Sequence, residues 1–214
     1  MEGTLHGPGL LFVVSGPSGA GKDTVVEAVM RRHPRLRYSV SATTRAPRAG
    51  EREGEAYFFI DRTTFEKRQA VGDFLEVKEY NGNLYGTPRA YVEETLASGY
   101  GIIAKPEVNG ALEIKKAFPA AVLIFLLPDR FSYLRVRLLE RRTESTSAIA
   151  ERLAIAEEEL RFIREFDYAV INAQADVRSN DQLPAVADLT AIIRADQLRI
   201  HHYDERFLQS IRES

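Results

Sequence analysis

The stretch Gly16-Pro17-Ser18-Gly19-Ala20-Gly21-Lys22 decides the reading of this chain. It follows the apolar run Leu10 to Val14 and precedes a helical pattern that begins near Thr24, so the order is strand, glycine loop, helix. The stretch fits the first seven positions of the phosphate-binding pattern G-x-x-x-x-G-K-[ST]. There the glycines let backbone N–H groups turn inward around a polyphosphate and the lysine reaches its outer phosphates. The helix that follows points its positive end at the same anion. One position departs from the pattern. The hydroxyl that normally serves a Mg²⁺ ion is replaced by Asp23, and Thr24 comes one residue late.

Working outward, the apolar runs Leu10 to Val14, Gly101 to Ala104, Ala121 to Leu127 and Tyr168 to Ile171 are too continuous for half-exposed strands and too short for helices. They predict buried parallel strands. Helix-period segments separate them: Asp23 to Arg32, Pro88 to Ala97, Gly110 to Ala117, Arg130 to Glu140 and Ser147 to Phe166. Strand alternating with helix predicts an α/β fold, a parallel sheet flanked by helices, with ligands at the carboxyl ends of the strands. The rhythm breaks over residues 41–87, where Pro47, Gly50, Gly54 and Gly72 punctuate short β-prone pieces, predicting a small β-rich inserted lobe. Residues 140–147 are polar and carry Arg141 and Arg142, as a lid over a nucleotide would. The core is then 8–40, 88–139 and 148–195 of a single domain. A C-terminal amphipathic helix is expected over about 183–211, with Val186, Leu189, Ile192, Ile193 and Leu198 at helical spacing.

The 214 residues suffice for one well-buried core. A net charge of −2 offers no global attraction to nucleic acid or to an anionic membrane, so neither is expected as a partner. The absence of cysteine excludes disulfides and thiolate metal sites. The chain is expected to be soluble, unprocessed and cytoplasmic, as a monomer or homodimer. The four histidines, His6, His33, His201 and His202, have no metal-ligand spacing with an acid and read as surface or capping residues.

Within the lobe, the run Ser39 to Arg48 places Arg45 and Arg48 three apart with the rigid Pro47 between them. Two fixed guanidinium forks suit a phosphate. Tyr57 and Tyr85 offer hydroxyl donors, and Glu76 is a carboxylate among the apolar neighbours Phe74, Leu75 and Val77. With a phosphate loop, these suggest a second, monophosphate-bearing ligand.

The loop Gly16 to Lys22, the run Ser39 to Arg48 with Gly50 and Tyr57, Phe74-Leu75-Glu76, Gly82-Asn83-Leu84-Tyr85-Gly86-Thr87, and Arg137 through Arg152 resemble the guanylate kinase family, in order and spacing. The similarity covers about Leu10 to Ala195. It implies transfer of phosphate from ATP to GMP with Mg²⁺. By this resemblance Ser41, Glu76, Thr87 and Glu107 hold the guanine, with Gly86 beside them. Arg45, Arg48, Tyr57 and Tyr85 hold the GMP phosphate, and Lys22 binds the ATP phosphates within the loop Gly16, Pro17, Ser18, Gly19, Ala20 and Gly21, flanked by Asp23 and Thr24. Arg137 and Arg152 stabilise the transferred group with Arg45 and Arg141, and Asn172 lies beside the adenine. The chemistry of the base agrees: one carboxylate can accept the adjacent N1–H and N2–H₂ donors of guanine, and adenine has no such pair.

A second departure accompanies Asp23. Where the family has an acid-x-acid run, this chain reads Lys105-Pro106-Glu107. The two changes are expected to be paired, with Asp23 taking the metal-side contact, through water, and Lys105 either bridging Asp23 or touching phosphate. Two alternatives remain open at this point: a ribose bisphosphate phosphokinase, whose family also resembles Gly-Lys-Asp after the glycine loop, and a non-catalytic guanylate-kinase-like binding module.

Overall fold

The structure is a computed structural model that describes residues 9–131, 134, 146–173, 180 and 183–199. A five-stranded sheet runs β2-β7-β1-β8-β9, with every neighbouring pair parallel. Its strands are β1 (Leu11–Ser15), β2 (Leu36–Tyr38), β7 (Gly101–Ala104), β8 (Val122–Pro128) and β9 (Tyr168–Asn172). The alternation of β1 explains why it is apolar throughout. Phe12 and Val14 pack into one cluster with Val25, Val26 and Val29 of α1 (Lys22–Arg32), and with Val186, Leu189 and Ile193 of the C-terminal helix. Leu11 and Val13 face the opposite cluster, with Val92 of α3 (Arg89–Ala97) and Ala111 and Ile114 of α4 (Val108–Ala117). A strand covered on both faces has no polar side, as the sequence pattern anticipated.

The chain leaves β1 toward β2 on one side, while β8 and β9 lie on the other, so the carboxyl end of β1 is the topological switch point where ligands enter such sheets. A second, four-stranded sheet runs β4-β3-β6-β5, from β3 (Ala42–Thr43), β4 (Phe58–Phe59), β5 (Phe74–Tyr80) and β6 (Asn83–Pro88). It has its own small core of Ala42, Phe65, Phe74 and Leu84, in which the rings of Phe65 and Phe74 stack at 4.4 Å.

Several elements differ from the sequence reading. Helix α2 (Arg62–Ala70) lies inside the stretch expected to be β-rich, started by the Asp61 side chain accepting from the Thr64 amide at 2.9 Å. Only Phe65 of its nine residues is buried, so no apolar stripe marks it. Strand β2 was not anticipated either; only Leu36 of its three residues is buried. Helix α5 (Thr146–Leu160) stops short of Phe166, where a 3₁₀ turn, Ile163–Glu165, follows. The last described helix, α6 (Pro184–Gln197), ends with Leu198 exposed at its C-cap rather than on the packed face. Of the expected helix over 130–140 only residues 130, 131 and 134 are described; the lid residues 140–145 and the tail from residue 200 lie outside the described residues, and Thr146 and Ser147, expected in the lid, belong to α5. No helix among the described residues is long and apolar enough to cross a membrane.

Candidate active site

The glycine loop joins β1 to α1, and its backbone explains its composition. Gly16, Gly19 and Gly21 have φ values of 137°, 88° and 89°, in the region that disfavours side chains. At Gly16 space is lacking too, because a Cβ would lie 2.2 Å from the Leu126 carbonyl oxygen of β8. Gly21 is the N-cap of α1, which has no side-chain cap, and the amide donors of the first turn face the loop. Ala20 N–H donates to Pro17 O at 3.1 Å, closing the loop. The Lys22 ammonium folds back to donate to the carbonyls of Gly16 and, at 3.2 Å, Pro17. Burial lowers its pKa, partly opposed by the carboxylates of Glu159 and Asp23. Thr24 lies half-buried in the first turn.

Asn172 ends β9, buried, and its side-chain amide donates to Ala20 O at 2.8 Å. The structure thus shows it as a brace of the glycine loop, 152 residues away in sequence. Asn172→Ala is expected to remove this buried hydrogen bond, costing about 1 kcal/mol and lowering the melting temperature by several degrees in the absence of nucleotide. Differential scanning calorimetry checks this; a melting temperature unchanged without nucleotide would assign Asn172 to ligand contact alone.

Asp23 projects from the first turn of α1 and forms an ion pair with Lys105, which leaves the end of β7. The anticipated bridge between the two departures is therefore present. Asp23 is well exposed and Lys105 is only 19% exposed, its ammonium 5.3 Å from the centre of the Tyr38 ring. Burial of Lys105 opposes its charge, but the contacts with Asp23 and Tyr38 outweigh that, and its pKa is raised.

Of the residues expected around an acceptor nucleotide, Ser41, Tyr57, Glu76, Tyr85 and Glu107 line one cavity of about 420 Å³. Thr87, buried behind it, donates its hydroxyl to Glu76 Oε1 at 2.8 Å and fixes that carboxylate. Burial pushes the Glu76 carboxyl up, partly opposed by the Thr87 hydrogen bond. Glu76 Oε2 approaches the start of α4 closely: a Cβ on Gly110 would stand 3.3 Å from it. Gly86 has a different place. Tyr85 faces the cavity, so its neighbour points to the other side of the strand. A Cβ there would meet the rings of Phe74 and Phe65 at 3.0 and 3.1 Å, which makes Gly86 a packing position of the lobe core.

The Arg45 guanidinium donates to both oxygens of Glu51 at 2.8 and 3.0 Å and lies 5.4 Å from the centre of the Tyr57 ring, itself 5.8 Å from the Tyr85 ring. Arg48 is exposed, and its backbone amide shares Glu51 with Arg45 at 2.7 Å. Glu51 holds the Arg-x-Pro-Arg turn, a role with no sequence signal because a lone glutamate six residues downstream looks like solvated surface. Arg152 is half-buried on α5, and Glu159 follows it seven residues later, two turns on and hence on the same face. The Glu159 carboxylate is partly buried beside Lys22; burial raises its pKa, with Lys22 opposing. Arg137 and Arg141 lie outside the described residues.

This arrangement has close relatives. The family model described as guanylate kinase matches residues 9–189. A guanylate kinase from Thermus thermophilus is 47% identical over 204 residues, covering 95% of this chain and 89% of the relative. One from Aromatoleum aromaticum is 41% identical over 202 residues, covering 94% and 96%. Among solved structures, the crystal structure of guanylate kinase from Anaplasma phagocytophilum superposes with a TM-score of 0.64 at 28% identity, covering 91% of this chain and 89% of that one. With a glycine loop at the switch point, a carboxylate-bearing cavity beside it, and these matches over most of both chains, the chain belongs to the guanylate kinase family.

Proposed function

We propose that this chain transfers the terminal phosphoryl group of ATP to GMP, giving ADP and GDP, with the glycine loop as the ATP phosphate site and the cavity beneath β5 and β6 as the GMP site. The observation that carries the reading is the Glu76 carboxylate, half-buried in that cavity and oriented by Thr87. A fixed, half-buried carboxylate is matched by two adjacent donors, and the N1–H and N2–H₂ edge of guanine supplies them. A sugar bisphosphate acceptor has no need of Glu76, Ser41 and Thr87 as a set for guanine, and a module without ATP chemistry leaves the glycine loop and Lys22 without purpose.

The residues then divide by task. Lys22 leaves the Gly16 and Pro17 carbonyls for the outer phosphates of ATP, and the amides of the α1 first turn hold the rest. Arg45 and Arg48 take the GMP phosphate with the hydroxyls of Tyr57 and Tyr85, and Glu51 keeps the Arg45 fork aimed. Ser41 and Glu107 complete the base pocket, and Arg152, with Arg137 and Arg141, meets the charge that spreads over the moving phosphoryl group. Transfer needs positioning and positive charge rather than covalent help, which accounts for a site rich in arginine and lysine.

Mg²⁺ needs few protein ligands when it arrives on ATP, since phosphate oxygens and waters fill most of its octahedron. The one carboxylate in the first turn of α1, Asp23, suits an outer contact through water, and among the described residues no cluster of three or more metal-ligating side chains is found. A bound metal would supply positive charge at the polyphosphate, with Asp23 holding it through water.

A coupled ADP-release assay with GMP, AMP and a ribose bisphosphate as acceptors tests the reading. GMP is expected to exceed AMP by at least about a hundredfold in kcat/KM, because adenine leaves the half-buried carboxylate without its two N–H donors. Comparable turnover of AMP and GMP would overturn it.

A further inference from the structure

We propose that Lys78 is a specificity-determining residue for the acceptor base, presenting its ammonium to the 6-oxo edge of the purine while Glu76 takes the neighbouring N–H donors. The proposal rests on the reading of the cavity as a GMP site.

Three observations converge on Lys78. It lies two residues after Glu76 on β5, and side chains two apart leave a strand on the same face. It pairs directly with Tyr85 across the β5–β6 ladder, and Lys78, Glu76 and Tyr85 all line the cavity. Finally, its ammonium forms an ion pair with Glu107, which stands at the N-terminus of α4 on the core side of the cavity. A surface lysine would normally sweep through solvent. This one is tethered across a nucleotide-sized cavity by a carboxylate from another element, with its Nζ also 5.2 Å from the centre of the Tyr80 ring.

The chemistry follows the order of atoms around guanine. If Glu76 accepts from N2–H₂ and N1–H, the next atom on the perimeter is O6, an acceptor, followed by N7, another acceptor. A site that reads this edge needs a donor with no acceptor character, and the ammonium of lysine is such a group. Lysine contacts to guanine O6 and N7 are among the commonest specific contacts in base recognition for this reason. Adenine presents an amino donor in place of O6, so the same ammonium repels it. Selection then has two parts of opposite polarity, a carboxylate for the donors and an ammonium for the acceptors. Glu107 becomes the residue that positions the ammonium, whatever contact it also makes with the base.

The test compares GMP with 6-thioguanosine 5′-monophosphate, which keeps N1–H and N2–H₂ for Glu76 but replaces O6 with sulfur, a weak acceptor. Affinities for both are measured by isothermal titration calorimetry in the wild-type protein, Lys78→Met and Lys78→Arg. The wild-type protein is expected to prefer GMP by about tenfold, Lys78→Met to bring the two ligands to within about twofold, and Lys78→Arg to keep most of the preference. The ratio of affinities within each variant is the readout, so a uniform loss of stability or of phosphate binding does not imitate the effect. An unchanged preference in Lys78→Met overturns the proposal while leaving the GMP site standing. Failure of the wild-type protein to bind GMP overturns both.

Discussion

Glu76→Gln is expected to lower kcat/KM for GMP by about 10²- to 10³-fold and at the same time to raise the melting temperature of the ligand-free protein. Glutamine keeps the shape and one acceptor, and Thr87 can still donate to it. Its amide nitrogen, however, meets the guanine donors as a second donor, and the charge that strengthens both hydrogen bonds is lost. The stability gain has a separate origin. Burial raises the Glu76 carboxyl above its ordinary range, so its contribution to stability is fully present below the unfolded value and is lost as the pH rises through the folded one. At neutral pH the free protein therefore carries a partly desolvated charge that the guanine donors would satisfy, and glutamine removes that charge at a gain of about 0.5–2 kcal/mol. The gain should shrink as the pH is lowered through the Glu76 titration, and the affinity of the wild-type protein for GMP should fall over the same interval. Calorimetric melts and GMP titrations of both proteins between pH 4 and 8 check each part. A variant that loses GMP turnover but is no more stable at neutral pH would show that the Glu76 charge is already well solvated in the free protein.

Lys105→Glu is expected to reduce kcat/KM for ATP by about a hundredfold, and Asp23→Ser by about tenfold, although each restores a residue type the family carries at that position. The reversal places carboxylates at 23, 105 and 107 beside a polyphosphate, and Asp23 loses the ammonium that neutralises it. Asp23→Ser leaves the poorly exposed Lys105 with the Tyr38 ring and the charge of Glu27 for compensation. The double change rebuilds a hydroxyl after the loop lysine and an acid at the end of β7, and is expected to recover activity to within about tenfold of the wild-type protein. Additive losses would amount to about a thousandfold, so this recovery corresponds to a coupling energy of about 2.7 kcal/mol, within the range for residues in contact. Steady-state kinetics of the four proteins close the cycle, and additive losses would show that the two positions act separately. A simpler role for Asp23, as cap of α1, does not survive the structure: the N-cap is Gly21, in a left-handed conformation, and Asp23 lies inside the first turn.

Much of the site was legible because its parts are local. The glycine loop, its lysine and the Arg45-Ala46-Pro47-Arg48 turn are each continuous in sequence, and the physical demand on each, positive φ or rigid spacing, falls on neighbouring residues. Lys78 was within reach of the same reasoning, since the two-residue period that puts Glu76 on one face of β5 puts Lys78 there too. Glu159 and Gly110 had no such signal. A buried carboxylate on a helix and a glycine within one become meaningful only beside Lys22 and Glu76.

By itself the sequence determined the sheet's central strands and the glycine loop at the end of β1, because a strand buried on both faces and a backbone held at positive φ both restrict residue type position by position. Only the tertiary structure decided which distant groups share a contact. Asp23 meets Lys105 across 82 residues, Asn172 reaches Ala20 across 152, and Lys78 crosses to Glu107 from another element. It also placed α2 and β2, each with a single buried side chain, whose apolar patterns are too sparse to declare them. The physical reason is the same in each case. Periodicity records what a segment buries against its surroundings as a whole, whereas an ion pair, a loop brace or an edge strand depends on the identity of one partner that only the folded chain brings near.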